Sequence, residues 1–164
     1  MQALETIPRP DGCKIKIYSD FDPESPRSGL NLGTFQVYHR RYLSPDPIIR
    51  EEPFIAQDEI GLKVYGYDHG GIVYSTTPFS CPYDSGFAGV IFTSKAKARA
   101  WFGVKRLHTK KVIDQLKYEV DLYSQYVNGE VYGYKVIDPE GKEIDSCWGF
   151  YGSDREYMIR QAGA

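Results

Sequence analysis

The sequence predicts an α+β fold, with a mixed or mostly antiparallel sheet that carries two related β-hairpins and packs on one main helix. Three observations support this. Residues 64–81 read VYGYDHGGIVYSTTPFSC and residues 131–147 read VYGYKVIDPEGKEIDSC, so both blocks open on Val-Tyr-Gly-Tyr, pass a glycine-containing turn and close on Ser-Cys. Between them, Val112, Leu116, Val120, Tyr123 and Val127 recur at intervals of four, four, three and four, the spacing of one helical face. The chain also holds 14 tyrosines and 8 phenylalanines, residue types that favour strands and fill cores.

Taken in order, residues 1–12 form a loose or edge-bound start containing Pro8 and Pro10. Lys14 to Tyr18 alternates polar and apolar, the pattern of a half-buried strand. The sequence DFDPESPRSG at 20–29 is turn-rich loop. Thr34, Phe35, Val37 and Tyr38 predict a strand across Leu32 to Tyr42. Residues 43–61, with Pro45, Pro47, Pro53 and many acids, predict a long irregular connection with a short helical turn at 55–60. The first hairpin pairs 62–67 with 71–76 across Asp68-His69-Gly70. After the loop FSCPYDSG, the apolar run 87–93 reads as a buried strand. Ser94 is placed to cap a short helix, 95–102, stopped by Gly103. Thr109 is placed to cap the main helix, 110–128, which ends at Asn128-Gly129. The second hairpin, 130–137 and 142–149, turns on Asp138-Pro139-Glu140-Gly141. A final short helix starts at Ser153 or Asp154 and runs through Arg160.

At 164 residues the chain fits one compact domain, 1–164, with a sheet of about five to seven strands. A formal net charge of −2, with no run of five like charges, argues against a general nucleic-acid binder and against a mimic of DNA. Cys13, Cys81 and Cys147 form no Cys-x-x-Cys pair, the start has no apolar signal core, and no stretch approaches a membrane span. These features predict a cytoplasmic protein with reduced thiols and no membrane partner, in which a Cys81–Cys147 bridge is geometrically imaginable but disfavoured.

Candidate sites are few. Gly70-Gly71 and Asp84-Ser85-Gly86 match no phosphate loop and read as turns. Cys81, twelve residues after His69, is a weak candidate nucleophile, with Asp68, Asp84 or Asp145 available to orient the histidine. A free cysteine is more often a small buried hydrophobe, and Cys147 is weaker still. His39, His69 and His108 lie in different elements, and Asp20, Asp22 and Glu24 lack the rest of a calcium loop, so neither a metal nor a cofactor is expected. His39-Arg40-Arg41-Tyr42 is the densest cationic and aromatic cluster, suited to a phosphate or an acidic partner, or else to guarding a strand edge. The hairpin tyrosines, Tyr65 with Tyr67 and Tyr132 with Tyr134, share faces in pairs. With Tyr83, Trp148 and Tyr151 they make either an interaction surface or simply the core.

The segments NLGT…HRRY (31–42), YDHGG…STTPFSCPYDSG (67–86), VYGY (131–134) and DSCWGFYG (145–152) resemble a family of small, mostly uncharacterised proteins encoded by bacteriophages, prophages and other mobile elements of bacteria. The resemblance spans Lys14 to Gly152 and brings no catalytic residues to carry over. It implies a non-structural protein in the cytoplasm of an infected or lysogenic host. Its expected role is to bind and inhibit a host protein of a bacterial defence, of the anti-CRISPR or anti-restriction type. Two alternatives stand beside it. One is an enzyme of unfamiliar type centred on Cys81 and His69. The other is a nucleic-acid or nucleotide binder using Arg40, Arg41 and exposed tyrosines.

Overall fold

A computed structural model describes residues 1–164. The protein is α+β, with eight strands, all paired antiparallel, and three helices. The strands form two four-stranded sheets rather than one, and the chain divides into two compact units, 1–24 with 125–164, and 25–124.

The first unit holds β1 (Glu5–Pro8), β2 (Lys14–Ser19), β7 (Val131–Ile137) and β8 (Glu143–Tyr151) in the order β1-β2-β7-β8. Pro8 ends β1 at the sheet edge, where no further ladder bond is needed. Alternation along β2 sends Ile15 and Ile17 to one face, opposite Val136 and Tyr134 of β7. The face closes with Cys13 and with Met158 and Ala162 at the end of the chain. Met158 belongs to α3 (Arg155–Gln161), which follows a single 3₁₀ turn at Gly152–Asp154. The β7–β8 turn is held by Asp138, whose carboxylate accepts the Lys142 N–H at 2.7 Å, while Gly141 takes φ 88°.

The second unit holds β3 (Thr34–Val37), β4 (Glu59–Asp68), β5 (Ile72–Ser75) and β6 (Ser85–Ser94) in the order β3-β6-β4-β5, with α1 (Lys95–Phe102) and all but the last three residues of α2 (Thr109–Val127). Ser94 caps α1 as its sequence predicts, its hydroxyl accepting the Lys97 N–H at 3.0 Å. Gly103 and Gly129 stop the helices in left-handed conformations, each with a paired closing bond. The first turn of α2 closes on the His108 carbonyl, so His108 and not Thr109 holds the cap position. Val112, Leu116 and Val120 of α2 are buried, and Tyr123 meets Phe35 edge-on at 5.6 Å.

Three expectations need correction. The two hairpins lie in different sheets. The strand predicted over Leu32 to Tyr42 shrinks to Thr34–Val37, because the loop after it covers its open edge. Asp46 accepts the Phe35 N–H at 2.7 Å and returns its own N–H to the Phe35 carbonyl at 3.0 Å, while Ser44 Oγ accepts the Val37 N–H at 3.0 Å. Side chains thus stand in for a fifth strand. The helical turn predicted at 55–60 is a tight turn: Glu59 accepts the Ala56 N–H with its carboxylate at 2.8 Å and then begins β4.

Candidate functional site

Three features of the second unit stand out, built from residues far apart in sequence. The first is an ionic lock. The Arg27 side chain is 5% exposed, and its guanidinium reaches Asp46 through Nε at 3.0 Å and Nη2 at 2.5 Å. Nη1 donates to Glu119 Oε2 at 3.1 Å and to Asn31 at 2.9 Å. Glu119, itself 4% exposed, accepts the backbone N–H groups of Leu32 and Gly33 at 2.7 and 3.0 Å. Removing this charge cluster from water is affordable only because its donors and acceptors are so fully matched. The lock ties loop 25–33 and loop 43–47 to α2.

The second feature is a groove of about 540 Å³ above the lock. Leu30, Pro47, Ile49 and Trp101 rim it, and Leu30 is 94% exposed. Large apolar side chains held in water around a rigid, hydrogen-bonded floor are the usual makings of a protein-binding surface.

The third is a polar cleft of about 300 Å³ lined by His39, Arg41, Asp68, Tyr83 and Asp84, among others. Asp68 receives the Arg41 guanidinium and the Tyr42 hydroxyl, the latter at 2.9 Å. That hydrogen bond, with some burial, raises the Tyr42 phenol above its ordinary range. His39 Nδ1 accepts the Arg41 backbone N–H at 3.1 Å, which places the ring proton on Nε2. His69 Nδ1 lies 3.3 Å from Asp84 Oδ2.

The sequence candidates fall into place as follows. His69 does meet Asp84, but both are open to water, and nothing joins His69 to Cys81. Cys81 is half-buried in the loop, where its carbonyl accepts the Ser85 hydroxyl. His69 is thus paired with a carboxylate and not with the thiol that a Cys81 nucleophile would need beside it. All three cysteines are free. No group of three or more His, Cys, Asp or Glu side chains converges into a metal-ligand set. Arg40 is exposed, and Arg41 is committed to Asp68. Tyr83 is 94% exposed at the cleft.

The hairpin tyrosines do not form a single exposed patch. Tyr65 is half-buried edge-on to Phe87, and Tyr67 lies between Phe79 at 5.7 Å and His69 at 6.1 Å. Tyr132 is half-buried against the core of the first unit, and Tyr151 is half-buried at the end of β8. Tyr134 is a correction: it is 4% exposed and belongs to that core, its hydroxyl donating to Asp145 at 3.1 Å, so it is not a contact residue. Trp148 is exposed on β8, 6.1 Å from Tyr18.

Sequence reasoning missed Arg27, Asp46, Glu119 and the groove above them. Arg27 finds its partners 19 and 92 residues away, and no local pattern announces either. A charged residue on the apolar stripe of α2 was the one available hint: Glu119 sits one turn from Leu116 and beside Val120. No helix is long and apolar enough to cross a membrane. Comparison with family models, curated proteins and solved structures finds no match to this chain.

Proposed function

We propose that this protein acts by binding another protein, and that its docking surface is the groove rimmed by Leu30, Pro47, Ile49 and Trp101. The observation that carries this reading is the groove itself, where exposed leucine, isoleucine and tryptophan stand over a floor fixed by the Arg27 lock. A preorganised apolar surface loses little entropy on binding, so burying it goes largely into affinity. The polar cleft supports chemistry less well, since Arg41 is already paired with Asp68.

The resemblance to phage and prophage proteins gives the reading its biological form. The partner would be a host protein met in the bacterial cytoplasm, a defence component such as a CRISPR effector or a restriction enzyme, and binding would disable it.

The test is affinity purification from host lysate with the natural chain and with Leu30→Asp/Ile49→Asp. A stoichiometric partner held by the first and lost by the second supports the reading. Both substituted side chains are largely exposed, so the melting temperature should barely move. If no stoichiometric partner is recovered, or if the double variant still holds it, the groove is not the docking surface.

A further inference from the structure

The net charge of −2 hides a segregation. Residues 95–118, KAKARAWFGVKRLHTKKVIDQLKY, carry eight of the 20 Lys and Arg but one of the 22 Asp and Glu. Twelve cations and 21 acids are left for the rest of the chain. The segment thus has a formal charge of +7 and the remainder −9.

All eight cationic residues are exposed, on α1, on the linker after it and on the first half of α2. On α2, Lys110, Lys111, Lys117 and Tyr118 fall opposite the buried Val112, Leu116 and Val120. On α1, Lys97 and Trp101 lie one turn apart on the side that lines the groove, while Lys95 and Arg99 lie one turn apart on the other side, beside Gln57 and Asp58. Outside the segment, Arg9, Arg27, Arg41, Arg50, Lys135 and Arg155 each hold a carboxylate. Within it, Lys110 pairs with Asp114 at 2.7 Å, Lys95 Nζ donates to the Gln57 carbonyl, and Lys117 sits one turn before Asp121. Lys97, Arg99, Lys105, Arg106 and Lys111 enter no ion pair.

We propose that this basic segment binds nucleic acid through its phosphate backbone. Unpaired cations on consecutive elements are complementary to a regular line of phosphates, and the exposed rings of Trp101 and Tyr118 among them offer stacking platforms for unpaired bases. A membrane surface fits less well, because the apolar side of α2 is buried and α1 exposes a single large apolar side chain, Trp101. Lys97 and Trp101 also line the groove, so a strand on this segment would lie against whatever fills it.

The experiment is fluorescence anisotropy of the full chain with a labelled 20-nucleotide single strand and a 20-base-pair duplex, at 50 to 200 mM salt. The charge-reversed variant is Lys97→Glu/Lys105→Glu/Arg106→Glu/Lys111→Glu. The comparison variant is Arg40→Glu/Arg41→Glu, which alters the other cationic cluster. Binding should weaken with salt, with a logarithmic slope of about −4 for some six phosphates on the single strand. Charge reversal should weaken it at least about a hundredfold, and Trp101→Ala should weaken the single-strand complex about tenfold. Arg40→Glu/Arg41→Glu should leave affinity within about threefold, since neither residue belongs to the segment. Lys105→Ala/Arg106→Ala, confined to the linker, gives an intermediate loss and guards against misfolding of the fourfold variant. The proposal is overturned if neither oligonucleotide binds at 50 mM salt, or if the reversed variant binds as the natural chain does. Binding to phosphatidylserine vesicles without binding to either oligonucleotide also overturns it.

Discussion

The two hairpins open on the same four residues and use them inside out. In β4, Val64 and Gly66 face the core, against Ile72, Ala88 and Tyr74, while Tyr65 and Tyr67 lie half-buried on the opposite face. In β7 it is the tyrosine face that turns inward, with Tyr134 joining Ile15, Ile17 and Met158. The lysine beside the motif changes face as well. Lys63 lies on the face of Tyr65 and Tyr67, whereas Lys135 lies on the face of Val131 and Gly133. In β4 the lysine face is the one left outside the core, and Ile60 and Leu62 continue the inner one; in β7 Val131 and Gly133 are buried as well, so both faces of that strand are covered. Identical residues therefore carry no fixed orientation.

The glycine is what makes both phases possible, and it is where the hairpins differ most in sensitivity. Gly133 lies under Trp148, which packs over it and beside Tyr18. A Cβ there would fall well inside contact distance of the Trp148 ring and 2.9 Å from the Cys147 carbonyl oxygen. At Gly66 the nearest atoms are side-chain methyls, Ile72 Cδ1 at 3.2 Å and Ala88 Cβ at 3.4 Å. Gly133→Ala should cost about 2–3 kcal/mol in urea unfolding and Gly66→Ala less than about 1. Adding Trp148→Ala to Gly133→Ala should recover part of the loss. Equal costs at the two glycines would break the comparison.

A smaller contrast lies at the strand starts. Glu59 opens β4 in an almost buried pair with Arg50, and Glu143 opens β8 in an exposed pair with Lys135. Burial pushes the Glu59 carboxyl up, but the Arg50 guanidinium and the Ala56 N–H outweigh it and hold it below its ordinary range. A carboxyl held low in the fold stabilises above its unfolded pKa and loses that contribution as pH falls through the folded value. Glu59→Gln should therefore cost about 1–2 kcal/mol at pH 7, and the difference from the natural chain should fade below about pH 4. The Lys135 ammonium also lowers Glu143, yet both partners are in water, so Glu143→Gln should leave the unfolding midpoint unmoved within error.

At the alkaline end the inward tyrosine should report its burial. Desolvation first, then its hydrogen bond to Asp145, pushes the Tyr134 phenol up to about 12. A raised phenol stabilises fully below the unfolded value near 10, and that contribution drains away as pH climbs toward 12. Ultraviolet titration of Tyr134→Phe should lose one late phenolate relative to the natural chain, while the later step of the buried Tyr74 remains in both. If the two titrations coincide above about pH 10, the inward face has been assigned to the wrong tyrosine.

Much of this architecture was legible because it is local. The Ser94 cap, the Gly103 and Gly129 stops and the Asp138–Gly141 turn each depend on residues within about six positions of one another. What was not legible is non-local. The division into two sheets depends on β2 choosing β7 across more than a hundred residues. The shortening of β3 depends on Ser44 and Asp46, whose side chains imitate a neighbouring strand. Among the candidate site residues, Asp84 was one of three aspartates, with Asp68 and Asp145, offered as a partner for His69, and it is the one that lies beside the ring. The Arg27 lock was not anticipated, since its members share no local pattern. The basic segment was missed for another reason: its charges are interleaved with alanine, tryptophan and valine, so a search for unbroken like-charge runs passes over it.

The second half of the repeat separates the hairpins again, through their closing Ser-Cys. The return strand β5 ends at Ser75, so Ser80-Cys81 falls in the following loop, whereas Ser146-Cys147 lies within β8. Cys147 is exposed on an edge strand, Cys81 is half-buried, and Cys13 is buried in the first unit, where desolvation raises its thiol. Thiolate fraction and access together set the rate of alkylation. A maleimide should therefore modify Cys147 first, Cys81 more slowly, and Cys13 only on the timescale of opening, slower than Cys147 by roughly two orders of magnitude. Mass spectrometry of peptides after timed labelling reads this order directly. If Cys81 and Cys147 react alike, the repeat extends through its closing residues, and the loop after β5 must open enough to expose Cys81 as β8 exposes Cys147.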